Sequence, residues 1–156
     1  MNHSSSKSSE STASSTFTIA THDGMFHADD VFAVAVLLLV YIQAKVLRTR
    51  DAAKLATADI VVDVGGLCDV MLRRFDHHQR GRAGARENGV LFSSFGLVWQ
   101  VYAAQLLPRL GVPDEHRDAV ATAIDKVLVQ PVDALDNGQN LYEGGKTVFD
   151  GISSMD

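Results

Sequence analysis

The chain has 156 residues and a mass of 16.8 kDa, with 46% hydrophobic and 21% charged residues, so one core can be buried and wholesale disorder is excluded. A net charge of −5 and a pI near 5.6 exclude a polycation built to coat nucleic acid. The lone cysteine, Cys68, excludes a disulfide framework and a cysteine-only zinc site.

Residues 1–16 hold eight serines and no aliphatic side chain larger than Ala13 after Met1. Such a segment cannot bury enough surface to offset its ordering entropy, and it reads as a disordered tail. A mitochondrial presequence is the alternative, set against by the lack of any Arg before Arg48. Phe17 to Ala20 alternates like a short strand and ends in a His-Asp-Gly loop signal. The longest apolar run, Val31 to Ile42, is twelve residues, too short for the about 20 of a membrane-spanning helix. Asp29 and Asp30 precede it and no small-residue cleavage site follows, so it reads as a buried helix over 29–40 leading into a strand over 41–47. Asp51 caps a single helical turn. The segment 59–64 is β-branched, mostly apolar and stopped by Gly65-Gly66, the clearest strand of the chain. Arg73 to Asp76 is another short strand, followed by a Gly- and Arg-rich loop over 80–89. Ser94 caps a helix to about Leu110, and Pro113-Asp114 opens another to about Gln130. Strands alternating with helices predict an α/β fold, a Rossmann-like parallel sheet with helices on both faces. No period is evident after Gly138, and 139–156 reads as a frayed or truncated end.

The acids are skewed: fifteen of nineteen are Asp, the residue of turns, caps and metal coordination. They gather with the histidines at element ends. His22, Asp23, His27, Asp29 and Asp30 follow the first strand; Asp63 ends the 59–64 strand; Asp76-His77-His78 ends the next; Asp133 and Asp136 follow the last helix. In parallel α/β sheets, ligand sites form beyond the carboxyl ends of the strands. A pair of cations needs several ligands with one carboxylate bridging, and Asp63, on a central strand before two glycines, is the natural bridge. Mixed imidazole and carboxylate donors suit Mn²⁺ or a similar borderline-hard ion better than structural zinc. Each group has a plainer role available: strand terminator for His22, helix cap for Asp29 or Asp30, turn former for Asp63, polar loop for Asp133 and Asp136. Of Asp29 and Asp30, one is expected to cap the helix while the other points into the site. Five of fourteen basic residues (Arg73, Arg74, Arg80, Arg82, Arg86) surround the histidine pair, an arrangement suited to a phosphate. Arg82 and Arg86 read equally well as a solvated loop, and Arg80 is the better candidate.

Six ordered motifs match a known family: His22-Asp-Gly-Met-Phe-His27-Ala-Asp29-Asp30, Arg48-Thr-Arg-Asp51, Asp59-Ile-Val-Val-Asp63-Val-Gly-Gly66, Phe75-Asp76-His77-His78-Gln-Arg80, Ser93-Ser-Phe-Gly-Leu-Val98 and Val132-Asp133-Ala-Leu-Asp136-Asn-Gly138. Over 17–138 the chain closely resembles the melanocyte-proliferating-gene (Myg) family, which looks like a branch of the DHH phosphoesterases. The resemblance implies a DHH phosphoesterase N-terminal-type domain holding two divalent metals, usually Mn²⁺ with Mg²⁺ possible, that hydrolyses phosphodiesters as a 3′–5′ RNA exonuclease of nucleus or mitochondrion. It assigns His22, His27 and Asp63 to one metal and Asp29, Asp63, His77 and Asp136 to the other. His78 and Arg80 face the scissile phosphate, and Asp76 orients a histidine. It prefers Asp136 over Asp133 as last carboxylate, because Asp-Asn-Gly resembles the Asp-Thr-Gly that supplies the last carboxylate in related phosphoesterases. Relative to the family the chain is expected to be truncated at its C-terminus, so that a homo-oligomer or a missing C-terminal domain could complete it. The expected partner is RNA or a short oligonucleotide, with no membrane. Pyrophosphate or small phosphomonoester hydrolysis, and an inactive metal-binding fragment that binds a partner, are the alternatives.

Overall fold

The computed structural model describes residues 16–140 and the backbone of two further short strands up to 147. The tail expected over 1–16 lies outside the described residues but for Thr16, and the end expected over 139–156 does so but for residues 139–140 and the two short strands. In chain order the elements are β1 (Thr18–Thr21), α1 (Ala28–Val40), β2 (Lys45–Arg48), α2 (Ala52–Thr57), β3 (Ile60–Val62), β4 (Cys68–Asp69), β5 (Arg74–Phe75) and α3 (Ser94–Arg109). A 3₁₀ turn (Asp114–His116), α4 (Arg117–Ile124), a π-helical turn (Asp125–Val129) and α5 (Gln130–Asp136) follow, then a hairpin of β6 (Tyr142–Glu143) and β7 (Lys146–Thr147).

The first five strands form one sheet in the order β2-β1-β3-β5-β4, parallel throughout except for β4 against β5. Its two faces follow the period of two along each strand. Ile19, Ile60, Val62 and Phe75 face α1 and α3, where Leu37, Phe95, Val98 and Tyr102 complete the larger core. Ala20 and Val61 face the other way, onto Leu55 and Ala58 from α2 and its end. Helices therefore cover both faces, and β3 reads as three apolar residues because both of its sides are buried.

The chain leaves β1 toward β2 through α1, then returns across β1 to β3 through α2. That reversal makes the carboxyl ends of β1 and β3 the switch point of the sheet, where a crevice opens.

Several boundaries differ from the sequence reading. The strand expected from Tyr41 starts at Lys45, because Tyr41 ends α1 and turns back through Ala44 N–H to Tyr41 carbonyl at 2.8 Å. The apolar run is half exposed: Val31, Leu39 and Ile42 face outward. The helix starts at Ala28, with His27 in the cap position and Asp30 one turn in. Ser93, and not Ser94, caps α3, its hydroxyl accepting from Phe95 N–H at 3.3 Å. The last helix does not stop at Gln130 but runs on to Asp136. Pro131 lacks an N–H and its ring crowds the carbonyl four residues back. The ladder widens into the π-helical turn just ahead of it instead of breaking. Asp133 and Asp136 consequently stand on a helix rather than in a loop after one.

Candidate metal centre

Both strands at the switch point end in a candidate ligand. β1 runs straight into His22, which is 2% exposed. Its ring is set by the Gly24 N–H, which donates to Nδ1 at 3.2 Å, so Nε2 faces the crevice. β3 runs into Asp63, held at φ 57° before Gly65 and Gly66 at φ 97° and 70°. A left-handed non-glycine residue is a strained conformation that Asp tolerates better than most, and here it aims the carboxylate across the crevice. The two oxygens of Asp63 face opposite groups. Oδ2 lies 3.4 Å from His22 Nε2, while Oδ1 lies 3.4 Å from His77 Nε2 and 3.5 Å from His78 Nδ1.

The remaining donors come from α1, the loop after β5, and α5. Asp29, fully buried, is 3.7 Å from His77 Nε2 and accepts from Ser94 N–H at 3.3 Å. Asp30 caps the helix start by accepting from His27 N–H at 3.0 Å through Oδ1, while its Oδ2 lies 2.8 Å from His22 Nε2. Asp136 is 3.0 Å from His77 Nε2. Donor atoms of His22, His27 and Asp63 lie within 4.8 Å of one another, as do those of His27, Asp29 and Asp136, and of Asp63, His77 and His78. Each of these groups could hold a metal ion. Asp133 is elsewhere: fully buried, it accepts from Ser93 Oγ at 2.5 Å, Gly96 N–H at 2.9 Å and Arg86 at 2.7 Å.

The donor set behaves as one built around a cation. His22 Nε2, Asp29 Oδ1, Asp30 Oδ2 and both ring nitrogens of His77 are buried without a hydrogen bond. His22 Nε2 and Asp30 Oδ2 approach to 2.8 Å without the alignment a hydrogen bond needs. Orphaned buried polar atoms cost about 1–3 kcal/mol each, and a bound cation removes that cost. The charges say the same. Burial, then the carboxylates of Asp63 and Asp136, push Asp29 up to about 8. Burial disfavours a charged His77, yet Asp136 and Asp63 outweigh it and raise the imidazole to about 10. Without a metal, then, this cluster collects protons to dilute its negative charge.

Asp76 and His78 form a separate pair at the rim. Burial would raise Asp76, but Gly66 N–H at 2.6 Å, His78 N–H at 3.0 Å and the His78 ring at 2.8 Å hold it low. Asp76 thus joins the glycine turn after β3 to the loop after β5. His78 itself is exposed, held through Nδ1 and with its ring centroid 4.3 Å from that of His77.

The arginines divide sharply. Arg86 is no solvated loop residue: it is clamped between Asp125 and Asp133 at 2.6 and 2.7 Å, with its guanidinium over Phe92. Arg82 reaches Asn137 Oδ1 at 2.6 Å. Arg74 is spent on the Ala58 carbonyl at 3.1 Å. Arg80 is exposed, two residues past the exposed His78. Arg48 donates to the carbonyls of His22, at 3.2 Å, and Gly24, pinning the loop that carries His22 and His27. Sequence reasoning did not place Arg48 behind the 22–27 loop or Ser94 on Asp63. Ser94 Oγ donates to Asp63 Oδ1 at 2.9 Å, and the only hint was two serines opening a helix.

Comparison with known proteins gives a consistent set of relatives. The family model MYG1_exonuc, described as an uncharacterised protein family (UPF0160), matches residues 18–155. MYG1 exonuclease from Bos taurus is 40% identical over 140 residues, covering 82% of this chain and 37% of the relative. The Homo sapiens MYG1 exonuclease is 39% identical over the same length, and the MYG1 protein of Chlamydia muridarum 37% identical over 137 residues, 86% of this chain and 42% of its own. The chain therefore spans about two-fifths of the length of these curated relatives. No solved structure matches.

Proposed function

Because this chain belongs to the MYG1_exonuc family, we propose that it is the metal-holding part of a nuclease-like hydrolase, a DHH phosphoesterase-type domain cleaving phosphodiester bonds in RNA or short oligonucleotides. The observation that carries this reading is Asp63, whose two oxygens face His22 on one side and His77 on the other, among buried donors that lack hydrogen bonds. On this reading His22, His27 and Asp63 hold one divalent ion, and Asp29, Asp63, His77 and Asp136 the other, with Mn²⁺ the better match to the donors. Ions bound there supply Lewis-acid activation of water and neutralisation of phosphoryl charge.

The chain's own residues do the rest. Asp76 holds the His78 ring by Nδ1 at 2.8 Å, which leaves Nε2 to give a proton to the leaving oxygen. Arg80 presents a planar fork to the phosphoryl oxygens from an exposed position. Arg48 keeps His22 and His27 in register from behind. An acidic surface favours short substrates gripped at the centre over a long bound strand. Nuclear or mitochondrial residence follows from the family resemblance and is tested by fractionation.

Calorimetric titration of the metal-stripped protein with Mn²⁺, beside Asp63→Ala, tests the centre. Two ions, both weakened by the substitution, are expected; none bound would overturn the reading. Hydrolysis of a dinucleotide compared with pyrophosphate then distinguishes nuclease from pyrophosphatase. A second reading, a metal-stabilised module that binds a partner, draws on one feature: Leu67, Val70, Met71 and Leu72 are exposed around the β4–β5 hairpin. Metal-dependent turnover by a monodisperse monomer would overturn it.

A further inference from the structure

Beside the metal centre, on the flank of α1 that faces β2, lies an apolar groove of about 180 Å³ lined by Phe26, Val31, Val34, Leu38, Val46 and Arg48. Resting on the reading above, we propose that this groove receives the base of the nucleotide whose phosphate sits at the metal centre, with Phe26 as its stacking platform.

Three observations join the groove to that occupant. First, Phe26 is 64% exposed yet fixed. Its ring lies 3.9 Å from the Arg48 guanidinium, which is itself tied to the carbonyls of His22 and Gly24. An exposed phenyl ring backed by a guanidinium is a preorganised flat surface, and bases stack on such surfaces without regard to sequence. Second, the groove shares residues with the centre. Asp30 lines it and approaches His22 Nε2 to 2.8 Å; Thr21 lines it and is the residue before His22. Phe26 stands next to His27 in the chain. The groove is therefore within one nucleotide's reach of the candidate ligands. Third, the surface the groove presents comes from Phe26, Val31, Val34, Leu38 and Val46, apolar groups suited to the flat faces of a heterocycle. Its volume suits one heterocyclic base, and its apolar walls offer no edge readout, so the preference is for any base over none.

The test compares adenosine 5′-monophosphate with ribose 5-phosphate, each titrated calorimetrically into the Mn²⁺-loaded protein. The base should tighten binding about tenfold. Phe26→Ala should erase that advantage, Phe26→Tyr keep it, and all three proteins should bind ribose 5-phosphate and Mn²⁺ alike. Val46→Glu, which places a charge in the groove without touching Phe26 or a candidate ligand, should erase it too. Equal affinities for the two probes in the unaltered protein, or an advantage that survives both Phe26→Ala and Val46→Glu, overturns the groove proposal alone. If Mn²⁺ or ribose 5-phosphate fails to bind the unaltered protein, the metal-centre reading falls and the groove proposal with it.

Discussion

Gly96 is the position at which one added methyl group should be felt most. It sits in the first turn of α3, and a Cβ there would lie 2.0 Å from Asp133 Oδ2, 2.8 Å from its Cγ and 2.9 Å from Phe92 Cδ1. Because the residue is helical, Gly→Ala by itself favours the fold by about 1 kcal/mol. Against this stand an overpacking cost of about 1–3 kcal/mol and the displacement of a fully buried carboxylate from Arg86, Ser93 and Gly96. Breaking such a buried pair costs about 3–5 kcal/mol. Gly96→Ala should therefore lose roughly 3 kcal/mol or more, lowering the melting temperature by roughly 10 °C in a domain of this size. Urea unfolding followed by the fluorescence of Trp99, which lies on the same helix, reads the loss directly. Combining the substitution with Asp133→Ala checks the cause. If the clash is the reason, adding Gly96→Ala to the Asp133→Ala protein costs far less than adding it to the unaltered one. A Gly96→Ala protein as stable as its parent, or more so, would refute the close approach of α5 to α3.

Other outcomes follow from the same geometry. His77→Ala should abolish Mn²⁺ binding at its side of the centre while preserving the folded circular-dichroism spectrum, whereas Arg117→Ala, which removes contacts to Val112 and Asp114, should leave Mn²⁺ binding unchanged. The raised values of Asp29 (about 8, from 3.8) and His77 (about 10, from 6.5) mean that both hold protons in the metal-free fold at neutral pH. Binding must expel those protons, so Mn²⁺ affinity should climb steeply between pH 6 and pH 9, with proton release measurable by calorimetry in buffers of different ionisation heat. The metal-free protein should show the opposite trend in stability. Both groups titrate higher folded than unfolded, so their support is full at low pH and drains as pH rises through about 8 for Asp29 and about 10 for His77. Arg48→Ala removes the anchor of the 22–27 loop and should weaken Mn²⁺ about tenfold or more, in the range found for residues that orient ligands; unchanged affinity would show that the loop holds itself.

The strands and the donor clusters were legible because they rest on local signals. Val-Val flanked by Ile60 and Asp63 before two glycines can only be a covered strand with a ligand-facing end, and an Asp-His-His run after a strand has no packing reason. What escaped was set by tertiary contact. β4 is two residues long and exists only because the chain doubles back after Gly66, so it carries no period to read. The last helix is expected from its sequence to end at about Gln130, and Pro131 follows, a residue that normally breaks a helix. A widened turn absorbed the missing N–H, and the helix went on to deliver Asp136. Asp136 faces His77, whereas Asp133, one turn earlier, is taken up by Arg86 and Ser93. Arg86 read equally well as a phosphate group's partner or a solvated loop residue because its actual partners, Asp125 and Asp133, lie 39 and 47 residues away in sequence.

The candidate ligands enter from β1, α1, β3, the loop after β5, and finally α5. His22 leaves a ribosome early and Asp136 late, with almost the whole described domain between them. His22, His27 and Asp63 all precede His77 and Asp136 in order of synthesis. On the reading proposed above, full metal loading therefore waits on a chain made through α5, because only then is Asp136 present to complete the donor set.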